Sequence, residues 1–282
     1  MKLIAIVVLY KPDIRAVIKN ILSYIDQIDH LLLYRNSEVG EKDFTLLHSY
    51  FDKIDFIGSG KNVGIAKALN EGAKWAEDQE FSHLLTLDQD SYFEGNNLKN
   101  FRHLISNDNV KNVGIYSANP DNRGQLTFKT NSAYIRIPDA ITSGSIFPIK
   151  IFGECGYFDE NLFIDAVDYD YCYRIKKLKN YDTIVFPSII LKHEVGYPTK
   201  INFGLITDNY SSFRTYYIIR NHIIIWRRYP DLFQQQYKKT LIKIHIVYRI
   251  AKIIIGEEDK LNKLKSIVTG LKDGLFIKAF KN

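Results

Sequence analysis

The chain has 282 residues and only two cysteines, Cys155 and Cys172. Their separation fits neither a metal-ligand pair nor a disulfide framework, so a reducing, cytoplasmic setting is expected. No stretch approaches the ~20 uninterrupted apolar residues that a membrane-crossing helix requires. A secretory leader is not expected either. After Met1-Lys2 the apolar run ends at Leu9, and Tyr10-Lys11-Pro12 follows where a small-residue cleavage site would stand. That same Val8-Leu9-Tyr10-Lys11-Pro12 stretch has no glycine. A nucleotidyltransferase, which needs a glycine-rich basic loop after its first strand, is thereby disfavoured. The net charge of +6 is modest, and no nucleic-acid partner is expected.

What is present is ample core material, with 46% apolar residues, 19 tyrosines and 17 phenylalanines. Such a chain can fill one large domain or two small ones. Leu3 to Leu9 is apolar and β-branched throughout, as in a strand buried on both faces of a parallel sheet. Pro12 is expected to open a helix whose inner face carries Val17, Ile18, Ile21, Leu22 and Ile25. A strand from His30 to Tyr34, a helix about Glu41 to Tyr50 and a strand at Ile54 to Ile57 follow. In Asn62-Val63-Gly64-Ile65-Ala66-Lys67-Ala68-Leu69-Asn70-Glu71-Gly72, small and apolar residues recur on one helical face. Asn62 and Gly64 stand at its entry, where exposed backbone N–H groups attract anions. This alternation of strand and helix predicts an α/β fold wound on a parallel sheet.

The chain is organised around Leu84-Leu85-Thr86-Leu87-Asp88-Gln89-Asp90-Ser91. A buried strand runs into two acids one residue apart. On an extended chain both carboxylates face one side, at the strand edge where ligands bind in open α/β sheets. Carboxylates are hard ligands suited to Mg²⁺ or Mn²⁺. A solvated turn after a strand would read the same way, and Asp168-Tyr169-Asp170 repeats the spacing.

Further along, a helix is expected over Leu98 to Ile105, a strand at Val113 to Ser117, and a loop and hairpin from Asn119 to Asn131. Ile141 to Pro148 carries the small-residue turn Ser143-Gly144. Acids then cluster at Asp159, Glu160, Asp165, Asp168 and Asp170, leading into a helix ending near Lys179. Asp168 stands at its start, where an N-cap residue and an ionised general base are both stabilised. Strands at Thr183 to Pro187 and Ile189 to Leu191 lead to His193. A long helix spans Asn209 to Arg228. Asp170 is expected at the solvated surface, and Arg227 and Arg228 either there or in structural ion pairs. In the tail, Lys238, His245, Arg249 and Lys252 align on one helical stripe. A last helix over about Asp259 to Lys272 is expected to bury Leu261, Leu264, Ile267, Val268 and Leu271. These helices read equally as packed elements with a solvated stripe or as a surface for an anionic bilayer.

Taken in order, Val8-Leu9-Tyr10-Lys11-Pro12, the Asn62 to Gly72 segment and Leu87-Asp88-Gln89-Asp90-Ser91 resemble glycosyltransferase family 2. They are most similar to its bacterial rhamnosyltransferase-like branch. The resemblance implies a GT-A (Rossmann-like) fold, a nucleoside-diphosphate sugar donor, a divalent metal and inversion at the anomeric carbon. It implies metal ligands at Asp88, Asp90 and His193, the last through a His-x-x-Gly match ending at Gly196. It implies donor contacts from Leu9, Tyr10, Pro12, Asn36, Asn62, Gly64, Lys67, Asn70, Asp88, Gln89, Ser143 and Gly144, and a diphosphate grip from Arg220. The usual Glu-Asp pair falls on Val167-Asp168, which makes Asp168 the general base, with Asp165 as understudy. One departure stands out. Where the family carries Asp-Asn-x-Ser, with the aspartate on the base, this chain has Arg35-Asn36-Ser37.

The expected organisation is a catalytic domain over 1–204, its nucleotide-binding half at about 1–118 and its acceptor half at about 119–204, with a helical extension over 205–282. The expected reaction moves rhamnose from dTDP-rhamnose to a sugar hydroxyl of a lipid-linked or oligosaccharide acceptor in surface polysaccharide or O-antigen assembly. Two alternatives stay open: a UDP-hexose or UDP-N-acetylhexosamine transferase, and a non-catalytic partner of the same fold. The expected place is the cytoplasm or the inner face of the plasma membrane, as a monomer or an oligomer.

Overall fold

A computed structural model describes residues 1–107, 109–193 and 199–278. β1 (Leu3–Leu9) is buried at all seven positions, as a run without polar residues requires when both sheet faces are covered. α1 (Ile14–Leu22) is capped by Asp13, whose carboxylate accepts from the N–H groups of Arg15 and Ala16 at 3.1 and 3.2 Å. Pro12, expected to open this helix, stands just before it. β2 (His30–Arg35) and β3 (Ile54–Ile57) are joined by 3-10 turns over Glu41–Lys53 in place of the expected α-helix. The turns break at Phe44 (φ −105°, ψ 21°), and Phe44 and Leu47 go into the core.

α2 (Ile65–Asp78) packs against β1 with a small-residue face. A Cβ on Gly72 would stand 2.2 Å from Cδ1 of Ile6, so glycine sets how closely the helix approaches. β4 (His83–Asp88), β5 (Ser91–Phe93), α3 (Asn97–Ser106) and β6 (Val113–Asn122) follow. The polar segment is a hairpin: β7 (Gln125–Leu126) folds back on β6 through Arg123 and Gly124, both at positive φ. Next come β8 (Ile135–Ile137), β9 (Ser145–Pro148), α4 (Lys150–Cys155), α5 (Val167–Lys179) and β10 (Asp182–His193). β10 was expected as two strands. It is one, with its register against β6 shifted between Phe186 and Ile190, around Pro187.

The main sheet has the order β3-β2-β1-β4-β9-β6-β10-β5. β3, β2, β1 and β4 run parallel. β9 lies antiparallel between β4 and β6, and β5 closes the edge antiparallel to β10. The remaining elements are β11 (Thr199–Lys200), β12 (Ile206–Thr207), α6 (Ser212–Arg228), α7 (Gln235–Thr240), α8 (Arg249–Gly256) and α9 (Lys260–Phe276). A π-helical stretch, Leu241–Tyr248, carries α7 into α8. Among the described residues no helix is long and apolar enough to cross a membrane.

The chain divides into two compact units, residues 1–160 with 171–194, and residues 161–170 with 195–282. The second unit has its own core of Ile219, Ile223, Leu241, Ile253 and Ile267. Within it α6 and α9 approach closely. A Cβ on Gly270 would meet the Tyr216 carbonyl oxygen at 2.9 Å, and one on Gly274 would meet Cβ of Ile223 at 2.9 Å.

Three surface expectations are corrected in this unit. Asp170 is fully buried, ion-paired with Arg228, and accepts a hydrogen bond from the Tyr229 hydroxyl at 3.1 Å. An unpaired carboxylate there would be costly, so its partners come with it. The stripe of Lys238, His245, Arg249 and Lys252 is not a solvated face. Arg249 is buried on Glu257, which also binds Lys263 at 2.9 Å, and His245 stacks on His222. Burial works against the Glu257 charge, but the Thr207 hydroxyl, Lys263 and Arg249 hold its carboxyl below the usual range. Finally, Leu261 and Val268, expected inside, are exposed.

His222 is buried, with Nδ1 2.6 Å from the Ile218 carbonyl oxygen and Nε2 2.9 Å from the Tyr237 hydroxyl. Burial lowers its pKa to about 4. The unfolded chain therefore takes up the proton first, so this stability is present above the unfolded pKa and is lost as pH falls from about 6.5 towards 4. Between pH 6.5 and 5 the loss from His222 should be about 2 kcal/mol at ~1.36 kcal/mol per unit. Urea denaturation at the two pH values should show it, and His222→Gln should flatten the slope.

Candidate functional site

In the first unit, Asp88 is the last residue of β4 and Asp90 lies in the turn before β5. His193 is far away in sequence but close in space, because the antiparallel β5–β10 ladder pairs it with Ser91. The ligand atoms of Asp88, Asp90 and His193 all lie within 4.8 Å of one another. The Nδ1 of His193 is 3.6 Å from Oδ1 of Asp90 and 2.7 Å from the Ser91 hydroxyl. Ser143 donates to that hydroxyl at 2.9 Å and accepts the Asp88 N–H at 3.0 Å. The Ser143 and Ser91 hydroxyls thus link the Asp88 backbone to the His193 ring.

Gly144 makes this possible. It has φ +76°, its N–H meets the Thr86 carbonyl oxygen at 2.8 Å, and a Cβ there would stand 2.6 Å from Cδ2 of Leu191. Ser143 and Gly144 were expected against the donor sugar, and here they brace the acidic strand end. Two carboxylates with one imidazole form a donor set that fits Mn²⁺ and accommodates Mg²⁺. The last residue of the His-x-x-Gly match, Gly196, lies outside the described residues.

The nearby loops are held by amides. Gln89 accepts the Tyr10 N–H at 2.9 Å and donates to the Tyr10 carbonyl oxygen at 3.3 Å, while Asn20 donates to the Gln89 carbonyl oxygen at 3.1 Å. The Gln89 side chain is therefore used to fix the acidic turn to the end of β1. Asn36 accepts the Val63 N–H at 2.8 Å and donates to Asn62 at 3.2 Å, and Asn62 accepts the Gly64 N–H at 3.1 Å. Gly64, at φ +84°, is the entry to α2. The Lys11 N–H donates to Ser37 at 2.7 Å.

Leu9 and Asn70 are buried, and Asn70 is turned onto Phe158, exchanging hydrogen bonds at 2.9 and 2.8 Å with its backbone. Tyr10 and Lys67 are exposed and Pro12 is half-buried. Arg35, at the end of β2, has a buried Nε without a hydrogen-bond partner. It lines a cavity of about 480 Å³ with Glu38, Asp43, Gly58 and Gly60. A cavity of about 250 Å³ is lined by Lys19, Asn20, Asp90 and Tyr92.

The acid-bearing loop belongs to the second unit. Phe163, Asp165 and Ala166 sit at φ +62°, +61° and +62°, a region unfavourable for side-chain-bearing residues. The Asn221 amide donates to the carbonyl oxygens of Leu162, Ile164 and Asp165 at 2.8, 2.8 and 2.9 Å. Arg214 binds the Asp165 carboxylate through two nitrogens at 3.1 and 3.3 Å. Arg220, expected at a diphosphate, donates to the Asn161 carbonyl oxygen at 2.7 Å and lies 5.3 Å over the Tyr217 ring. Asp168 is in the first turn of α5, where its carboxylate accepts the Tyr169 N–H at 3.0 Å. In the sequence Asn221 stands out only as the second residue of the Arg220-Asn221 match to the family's Arg-Asn pair, with no role of its own, and Arg214 not at all. The available signal was an asparagine amid the isoleucines of α6, where a buried amide needs partners.

No family model matches the chain. The dTDP-rhamnosyl transferase RfbF of Shigella flexneri is 26% identical over 297 residues, spanning 96% of this chain and 94% of that protein. Among solved structures, GalNAc-T7 with UDP, GalNAc and Mn²⁺ superposes with a TM-score of 0.62 at 13% identity. That match covers 99% of this chain but 56% of the other, so the chain spans little more than half its length. TarS 1–349 of S. aureus in complex with UDP-GlcNAc gives a TM-score of 0.60 at 14% identity, over 98% of this chain and 81% of that one. The chain has the α/β architecture of these glycosyltransferase structures, the GT-A fold, and resembles a rhamnosyl transferase along nearly its whole length.

The amide clamp is open to test. Asn221→Leu keeps the bulk and takes this donor from the Ile164 and Asp165 carbonyls, each costing ~1–3 kcal/mol if left unpaired, while the Leu162 carbonyl keeps the Ile164 N–H. We expect a loss of about 2 kcal/mol or more in equilibrium unfolding, and faster proteolytic cleavage within residues 162–166. Wild-type stability and cleavage would show that the clamp does not hold the loop.

Proposed function

We propose that the protein is a metal-dependent, inverting glycosyltransferase that moves a sugar from a nucleoside diphosphate to a sugar hydroxyl. The observation that carries the reading is the convergence of Asp88, Asp90 and His193 at one sheet edge. These three residues would hold a divalent cation, which supplies positive charge to the donor diphosphate. Tyr10, exposed at the end of β1, packs against the base, and Lys67 at the start of α2 faces the phosphates. Asp168 acts as general base. It takes the proton of the acceptor hydroxyl as that oxygen bonds to the anomeric carbon. The bond from that carbon to the phosphate oxygen breaks, the nucleoside diphosphate leaves, and the configuration inverts. The first turn of α5 favours the ionised form of Asp168 before attack.

Rhamnose from dTDP-rhamnose is the favoured donor, supported by the likeness to RfbF along the chain. A UDP-hexose or UDP-N-acetylhexosamine is the second reading, supported by the likeness to TarS with UDP-GlcNAc. Arg35 suits either pyrimidine, since thymine and uracil share the same two carbonyl oxygens. A guanidinium offers donors only, so it reads carbonyl oxygens of the base where an aspartate would read N3–H. The acceptor is taken as a lipid-linked or free oligosaccharide of surface polysaccharide or O-antigen assembly, met in the cytoplasm or at the inner membrane face. A non-catalytic partner is the remaining reading, favoured by Arg35 and Val167 at positions where carboxylates were expected.

Calorimetry with a panel of thymidine-, uridine- and guanosine-diphospho sugars should find one donor that binds with Mn²⁺ and not with chelator, and Asp90→Ala should lose that binding. Binding indifferent to metal would remove the metal role, and no binding to any donor would favour the non-catalytic reading. Asp168→Asn should keep donor binding and lose transfer by about 10²–10⁴-fold. Normal turnover in that variant would exclude Asp168 as base.

A further inference from the structure

We infer that the outward face of α9 is a docking surface for an anionic bilayer. The exposed residues Leu261, Lys265, Val268, Lys272 and Leu275 recur at spacings of four, three, four and three, so they form one stripe along the helix. Leu261, Val268 and Leu275 are 84%, 67% and 52% exposed, and Phe276 at the end of the helix is 78% exposed. The opposite side carries Lys263, Ile267, Gly270 and Gly274, all buried within the unit. α9 is therefore apolar on two sides, and only one of them is used by the fold.

The charges decide what the other side suits. The two lysines sit inside the apolar stripe. The helix has one acid, Asp273, which is half-buried and accepts a hydrogen bond from the Tyr216 hydroxyl at 2.8 Å. Residues 195–282 carry 16 lysines and arginines against 6 acids, and one of those acids, Glu257, is buried between Arg249 and Lys263. A second copy of this chain, packed stripe to stripe, would bring Lys265 and Lys272 against like charges. Anionic headgroups neutralise them, while the aliphatic stems let the ammonium groups reach the headgroup layer as Leu261, Val268, Leu275 and Phe276 enter the acyl boundary.

The same unit exposes further apolar residues, Ile244, Val247, Ala251 and Ile254, beside exposed Lys243 and Tyr248. The face differs from the Lys238, His245, Arg249 and Lys252 stripe that periodicity suggested, since Arg249 of that stripe is consumed by Glu257.

The test is flotation of the full chain with vesicles of phosphatidylcholine alone and of phosphatidylcholine mixed with phosphatidylglycerol. Binding is expected only to the anionic vesicles and should weaken in high salt. A lysine at such a surface is worth about fivefold in partitioning. Lys265→Gln with Lys272→Gln should thus weaken binding by about 25-fold, and Leu261→Ser with Val268→Ser and Leu275→Ser should abolish it. All five positions are solvent-facing, and unchanged thermal unfolding would confirm that the variants fold. The inference fails if the wild type ignores anionic vesicles or the variants float like the wild type. It also fails if light scattering finds a dimer that the serine variant dissolves without any vesicle binding, which would assign the face to a second copy. Vesicle binding needs no donor and no turnover, so its failure leaves the glycosyltransferase reading untouched, and failed donor binding leaves this one untouched.

Discussion

Two carboxylates held within 4.8 Å of each other and of an imidazole repel one another when both are ionised. An isolated loop would relax and let them drift apart. Here the backbone cannot relax, and much of the first unit is arranged to that end. β4 is fixed between β1 and β9, the Gln89 amide ties the acidic turn to Tyr10, and the Ser143 and Ser91 hydroxyls tie the strand end to His193. Gly144 exists at φ +76° because any larger residue would be strained there and would press on Leu191. The cost of assembling like charges is met by burial and hydrogen bonding elsewhere, and a bound cation would reverse its sign locally.

A second regularity is the use of primary amides to hold loops. Asn36 and Asn62, Asn70, Gln89 and Asn221 each bridge backbone segments from different parts of the sequence. An amide carries a donor and an acceptor on one rigid plane, so it can satisfy an N–H and a C=O together, which a carboxylate cannot. Several of these residues look like ligand contacts in sequence because polar side chains beside glycine-containing turns serve both ends. Here their amides also hold the backbone around the site. They set where Tyr10, Lys67 and the acids stand.

How much was legible follows from range. β1, α2, the acidic turn and α5 were readable because period, small-residue spacing and strand composition are local. The hairpin at Arg123-Gly124 was readable for the same reason. The partner of the acidic pair was not. His193 reaches Asp90 only through an antiparallel β5–β10 ladder, and nothing local announces that pairing. The likeness to a known family supplied it. Asp170 and Arg249 were missed the same way. Each looked solvated until its partner was placed beside it, Arg228 of α6 for the one and Glu257 at the end of α8 for the other. Arg220 is a different case: a guanidinium suits a phosphate and a carbonyl equally well, and here one of its nitrogens holds a carbonyl.

α6 joins the two tasks of the second unit. On one side Arg220 and Asn221 hold the 161–165 segment that leads into Asp168. On another, the backbone and side chains of Tyr216, Ile219 and Ile223 meet Gly270 and Gly274 of α9 so closely that a single methyl on either glycine would clash. Helices packed at that distance cannot slide without losing contact along the seam. The position of α9 and the position of the strained acid loop are therefore coupled through one rigid rod. Phe163, Asp165 and Ala166 stand at positive φ in the loop whose carbonyls receive the α6 donors.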